Sequence, residues 1–154
     1  MSSEPRLAPG PVALVTRLAP LVQRLPSTKS VGVVGTLIWD RIFQRDGRKV
    51  PVEEWGGISY GLEGLSISLP EGWTIRPLLK VGEDLAEEAL RYLRSIPKVE
   101  TDPGVRVVPF PNTRVELRYQ EHDRRLEKIQ GWVPSWTWEE LETVLPSLDA
   151  LFVN

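Results

Sequence analysis

The segment VGVVGTLIW (residues 31–39) carries no charged side chain and then stops on Asp40. A strand this apolar has no face suited to water, so it needs cover on both sides. That requirement constrains the chain more than any other feature, because strands buried on both faces belong to parallel sheets whose crossovers are helices. The rest of the sequence supplies such helices. Ile58, Leu62, Leu65 and Leu69 fall at spacings of four, three and four, one helix face that Pro70 ends. WTIRPLLKVG (73–82) reads as a second strand. Asp84 and Glu87 then stand at the spacing of a capping box, and Leu85, Ala89, Leu93 and Ile96 form the buried stripe of a second helix. Thr137 and Glu140 repeat the capping spacing ahead of Trp138, Leu141, Val144, Leu145 and Leu148, and DALFVN (149–154) reads as a last strand. The expected class is α/β, a Rossmann-like parallel sheet flanked by helices.

A second kind of strand interrupts this pattern. RIFQRDGRKVPVEEW (41–55) holds Asp46-Gly47, the pair a two-residue hairpin turn prefers, between extended flanks. VRVVPF (105–110), RVELRY (114–119) and RLEKIQGW (125–132) alternate polar and apolar residues. Such strands suit a small antiparallel flap half exposed to water. The expected lid therefore comprises residues 41–54 and 105–132. Residues 1–29 differ again, being rich in proline (Pro5, Pro9, Pro11, Pro20, Pro26), and Pro20 breaks the helical spacing of VALVTRLAPLVQRL (12–25). They are expected to form a flexible extension or, alternatively, a short docked helix, ahead of a single body at 30–154.

Composition removes several function classes. The net charge of −2, with basic residues scattered, gives no footprint for nucleic acid or anionic lipid. With no cysteine and one histidine, disulfides, structural zinc and a Ser-His-Asp triad lack their parts. No stretch reaches the roughly 18 apolar residues that span a bilayer, and the expected setting is cytoplasmic, with no membrane partner.

In an open parallel sheet, ligands sit beyond the carboxyl ends of the strands, and Asp40 is read at such an end. An ionised carboxylate there accepts hydrogen bonds from two neighbouring hydroxyls, each charged bond contributing about 1.5–3 kcal/mol. That fits a polyol and repels a phosphate. Equally, Asp40 serves simply to turn the chain or to pair with Arg41. In WGGISYG (55–61), Gly56 and Gly57 precede a helix, so that backbone approaches a ligand closely beside free N–H groups. The glycines do not have dinucleotide spacing, which disfavours a nicotinamide-dependent oxidoreductase.

In this order, GTLIWDRI, the hairpin segment, WGGISYG, KVGEDLAEEALRYLRS and NTRVELRY resemble the PfkB (ribokinase-like) carbohydrate kinases, over residues 30–154. That family has an aspartate ending its first strand, a lid hairpin, a Gly-Gly helix start, a "vGxD" segment before the next helix, and further lid strands. The resemblance implies a ribokinase-like fold with an antiparallel lid, of which this chain is an incomplete half. It implies that Asp40 binds hydroxyls of a sugar or nucleoside, that the backbone of Gly56 and Gly57 approaches the same substrate, and that Thr113 and Val115 face the pocket from lid strands. Where the family has an asparagine four residues after the second glycine, this chain has Gly61; Tyr60 or Asn112 is the candidate replacement. The family's "GxGD" element, with its catalytic base and anion hole, is absent, so no residue is assigned to catalysis. ATP and Mg²⁺ are implied for a full-length member and not for this chain alone. The reading is the N-terminal part of an ATP-dependent carbohydrate kinase, with a non-catalytic sugar- or nucleoside-binding module as the alternative. A homodimer through the lid strands is also compatible.

Other residues have plainer readings beside the functional ones. Trp55 either stacks on a sugar or base or fills the junction of lid and core. Trp132, Trp136 and Trp138 read as core and staple residues, and His122 as an exposed turn residue. Glu83, Asp84, Glu87 and Glu88 read as a solvated helix start rather than a metal site. Lys80 either reaches an anion or pairs with Glu83.

Overall fold

The structure, a computed structural model, describes residues 28–45, 50–120 and 124–154. The proline-rich segment through residue 27, the Asp46-Gly47 turn and His122 lie outside the described residues.

Among the described residues two four-stranded sheets form. The core sheet runs β5(Val105–Val108), β4(Trp73–Gly82), β1(Lys29–Val34), β8(Ala150–Val153), with every pairing parallel. Helices α1(Ile58–Ser68) and α2(Ala86–Ser95) cover one face. Val31, Val33, Ile75, Leu79 and Val81 meet Ile58, Leu62, Ala89, Leu93 and Ile96 there in one buried cluster. Each such valine, leucine or isoleucine side chain contributes about 1.5–3 kcal/mol by leaving water. The opposite face receives the segment that contains α3(Trp138–Glu142): Leu148 packs over Gly32 toward Leu78 and Leu151, and Glu140 bonds Lys80 and Arg106 at 2.9 Å each. Lys80 therefore pairs with Glu140, not Glu83. The Thr137–Glu140 capping box forms as its spacing predicts.

The second sheet is the lid, in the order β3(Val52–Gly57), β2(Leu37–Phe43), β6(Arg114–Tyr119), β7(Arg125–Gln130). It corrects three expectations. The apolar run at 31–39 is not one strand: it breaks at Gly35-Thr36, so β1 stays in the core and β2 enters the lid. Asp40 consequently lies in the middle of β2. Residues 105–108 belong to the edge of the core sheet, since Val105 to Val108 pair with Leu79 to Gly82; only the strands from Arg114 onward are lid. The lid is also mixed rather than purely antiparallel, because β2 and β6 run parallel while β2–β3 and β6–β7 are antiparallel.

Two smaller corrections concern single side chains. The Asp84–Glu87 capping box does not form; a 3₁₀ turn over Glu83–Leu85 leads into α2, because the Asp84 carboxylate instead accepts the Asn112 N–H at 2.7 Å and bonds Arg114 at 2.6 Å. Of the clustered tryptophans only Trp136 is buried, with Arg106 4.3 Å from its ring centre, while Trp132 and Trp138 are exposed. Among the described residues no helix is long and apolar enough to cross a membrane.

Candidate functional site

Strand alternation sets which β2 side chains face which way. Trp39 pairs with Trp55, and Asp40 with Glu54 on β3 and Val115 on β6. Residues opposite one another share a face, so the two tryptophans lie on one side of the lid and Asp40, Glu54 and Val115 on the other. The tryptophan side is anchored: Trp39 meets Trp55 edge-on at 4.8 Å, Trp55 stacks on Tyr92 of α2 at 5.9 Å, and the Tyr92 hydroxyl donates to Glu63 of α1 at 2.7 Å. Trp55 thus fills the junction of lid and core.

The other side is the candidate pocket. Asp40 is only 9% exposed, and its carboxylate accepts no hydrogen bond from any described residue. It rests on Gly56, where a Cβ would collide with Asp40 Oδ2. Burial pushes the Asp40 carboxyl above its ordinary value, Glu54 and Glu127 push it further, and Arg125 opposes them. Gly57 has φ 66° and leads directly into α1, its conformation open to glycine at little cost. The first helical N–H, that of Ile58, is held by the Thr36 carbonyl at 3.0 Å.

The remaining expected site residues divide. Val115 stands beside Asp40 on the pocket face. Tyr60, on the first turn of α1, is 62% exposed; desolvation and then Glu54 and Asp40 raise its hydroxyl's pKa, which places it within electrostatic reach of the same face. Asn112 and Thr113 are brought elsewhere. Asn112 is fully buried: its Oδ1 accepts the Gly82 N–H at 3.0 Å, and its Nδ2 donates to the Leu37 and Thr113 carbonyls at 3.2 Å each. The Thr113 hydroxyl accepts the Val133 N–H at 3.1 Å, and its carbonyl accepts the Trp39 N–H at 2.9 Å. Both side chains are spent on the joint between core and lid. Gly61 lies against β8, where a Cβ would stand 3.3 Å from the Phe152 ring and 3.5 Å from Asn154 Oδ1.

Sequence reasoning did not single out Glu54, Glu127 or Arg125. The signal for Glu54 is present in VEEWGG: it sits two residues before Gly56 and so shares its face. Glu127 and Arg125 are visible only once the register of β7 on β6 is fixed. Among the described residues, no three His, Cys, Asp or Glu side chains converge as a metal site. What the candidate site shows is a largely buried carboxylate seated on Gly56 with Val115 beside it.

No protein-family model matches the sequence, and no curated protein does either. Solved structures do share the architecture. A PfkB family carbohydrate kinase from Listeria grayi is 17% identical, with TM-score 0.59, over 81% of this chain and 41% of that one. A ribokinase from Cryptococcus neoformans, in complex with ADP, is 16% identical, with TM-score 0.54, over 81% of this chain and 40% of that one. A nucleoside kinase from Burkholderia thailandensis, in complex with inosine, is 15% identical, with TM-score 0.52, over 66% of this chain and 36% of that one. The chain spans well under half the length of these structures, and its fold is that of part of a ribokinase-like kinase.

Proposed function

We propose that the chain supplies the substrate pocket and lid of an ATP-dependent kinase that phosphorylates a hydroxymethyl group of a sugar or nucleoside, in the cytoplasm. The observation that carries this reading is Asp40, a buried carboxylate without a hydrogen-bond partner among the described residues, seated on Gly56 at the root of a lid. Burying a charged acceptor unpaired is costly, and two adjacent hydroxyls of a polyol remove that cost. Val115 offers an apolar wall beside it, Gly56 makes room for the Asp40 carboxylate, and Tyr60 offers a further hydroxyl from the first turn of α1. The lid sheet excludes water from the bound hydroxyls. Inosine and ADP in the similar kinases are consistent with this division between acceptor and phosphoryl donor. ATP with Mg²⁺ belongs to this proposal only as the donor bound by residues other than those described, and no phosphoryl-transfer step is routed through this chain.

Calorimetry with a panel of sugars and nucleosides tests the reading. At least one compound binds the wild-type chain, and Asp40→Ala weakens it about tenfold or more, the value of one or two charged hydrogen bonds. Unchanged affinity in Asp40→Ala refutes it. Gly61, standing where the resembled family has its substrate asparagine, favours a second reading, a binding module without phosphoryl transfer. Binding without ATP consumption is its signature, and ATP turnover by this chain alone eliminates it.

A further inference from the structure

The two faces of the lid are charged differently. On the tryptophan face, acids and bases match: Arg41 bonds Glu53 at 2.8 Å and Arg118 bonds Glu116 at 2.6 Å. On the pocket face the match fails. Asp40 and Glu54 stand directly opposite one another across β2–β3, and neither has an ion pair with a described residue. Glu127 lies on the same face of β7, opposite Leu117, and Arg125 is bonded to Glu127 at 2.5 Å. Tyr60 adds a hydroxyl and no positive charge. Like charges directly opposite in a sheet are destabilising, and one of this pair is buried and unpartnered. A neutral polyol satisfies the Asp40 lone pairs but leaves the repulsion between the two carboxylates in place. A positively charged donor between them removes both problems.

We propose that the pocket selects a polyol bearing a protonated amine, held between Asp40 and Glu54, over the corresponding neutral or phosphorylated compound. This rests on the reading of Asp40 as a substrate ligand and adds the substrate's charge to it. An ammonium group brings three N–H donors on a compact charge, which suits two acceptors on neighbouring strands. A divalent cation, which takes six or more oxygen ligands, finds no third converging carboxylate, histidine or cysteine among the described residues.

The test is calorimetry of the full chain with matched pairs: glucose and glucosamine, galactose and galactosamine, adenosine and 3′-amino-3′-deoxyadenosine, together with glucose 6-phosphate. A pH of about 6.5 keeps amines protonated, below the roughly 7.7–8.0 of an α-amino group. At least one amine is expected to bind about tenfold more tightly than its parent. Glu54→Gln is expected to bring that ratio close to one, and Glu53→Gln, on the tryptophan face, to leave it unchanged. Equal affinities within every pair overturn the proposal, as does an advantage that survives Glu54→Gln, or tightest binding of the phosphate. Stabilisation of the wild type by MgCl₂ or CaCl₂ that is lost in Glu54→Gln, without any amine preference, assigns the pair to a metal and also overturns it. If a parent sugar binds and Asp40→Ala abolishes that binding while no amine is preferred, only the charge selection falls. If no compound binds, the substrate reading falls with it.

Discussion

Asn112 Oδ1 accepts the Gly82 N–H at 3.0 Å, and through that contact the end of β4 holds the root of the lid. The same amide donates to the carbonyl of Leu37, where β2 begins. Asn112→Leu leaves the Gly82 N–H and the Leu37 carbonyl each short of a partner, while the Thr113 carbonyl keeps the Trp39 N–H, at about 1–3 kcal/mol for each unsatisfied group before relaxation. The expected loss is roughly 2 kcal/mol or more by urea denaturation. A loss within experimental error of zero would show that the joint is held elsewhere.

Asp40→Asn should separate stability from binding. Because burial and neighbouring carboxylates raise the folded-state pKa of Asp40, its favourable contribution is present below the ordinary value of 3.8 and lost as pH rises through the raised value. At neutral pH the ionised group opposes folding. Asparagine removes that opposition, so the melting temperature at pH 7 rises while sugar or nucleoside affinity falls. A lower melting temperature would contradict the assignment of Asp40 as a strained, unpaired charge.

Gly56→Ala places a methyl group against the Asp40 carboxylate. Such overpacking costs about 1–3 kcal/mol, and because the carboxylate is displaced, ligand affinity falls too. Gly57→Ala is strained both through its backbone, at φ 66° and ψ −121°, and by a Cβ that collides with the Thr36 carbonyl oxygen, for roughly 1–3 kcal/mol from the backbone alone. Chemical denaturation of both variants, with ligand titration of the first, checks the pair.

Asp84 has the opposite pH signature from Asp40. Burial pushes its carboxyl up, but the Asn112 N–H and the Arg114 guanidinium outweigh burial and leave it below 3.8. Its contribution is therefore present above 3.8 and lost as pH falls through the lowered value. Melting curves taken toward about pH 2 should show a steep acid loss in the wild type and a shallower one in Asp84→Asn, which starts less stable at neutral pH.

The core was legible because its signals are local. The α1 spacing of Ile58 and Leu62, the apolar β4 strand and the Thr137 cap are each set by residues near in sequence. The lid was legible only in outline. Nothing within VGVVGTLIW announces that the chain changes sheets at Gly35-Thr36, because both sheets accept apolar strands. VRVVPF alternates like a lid strand, yet Val105 and Val107 find β4 as their neighbour. The same limit explains Asn112. A polar residue between strands reads as a ligand, whereas the long-range partners Gly82 and Leu37 make it a joint. Asp40 and Gly56 were recognisable as a pair from their order, but their contact is side chain on glycine floor, which only the β2–β3 register produces.

The link between β1 and β2 is two residues long, and Gly35 is pressed against α1, with room for a Cβ only 3.1 Å from Ile58. The lid is moored at more than this one point, since β3 runs straight into α1 at Gly57-Ile58 and Asn112 ties Gly82 to Leu37. Asp40 lies a few residues from these moorings, while β7 is the strand at the far edge of the sheet. The carboxylate therefore sits on the part of the lid most firmly fastened to the core.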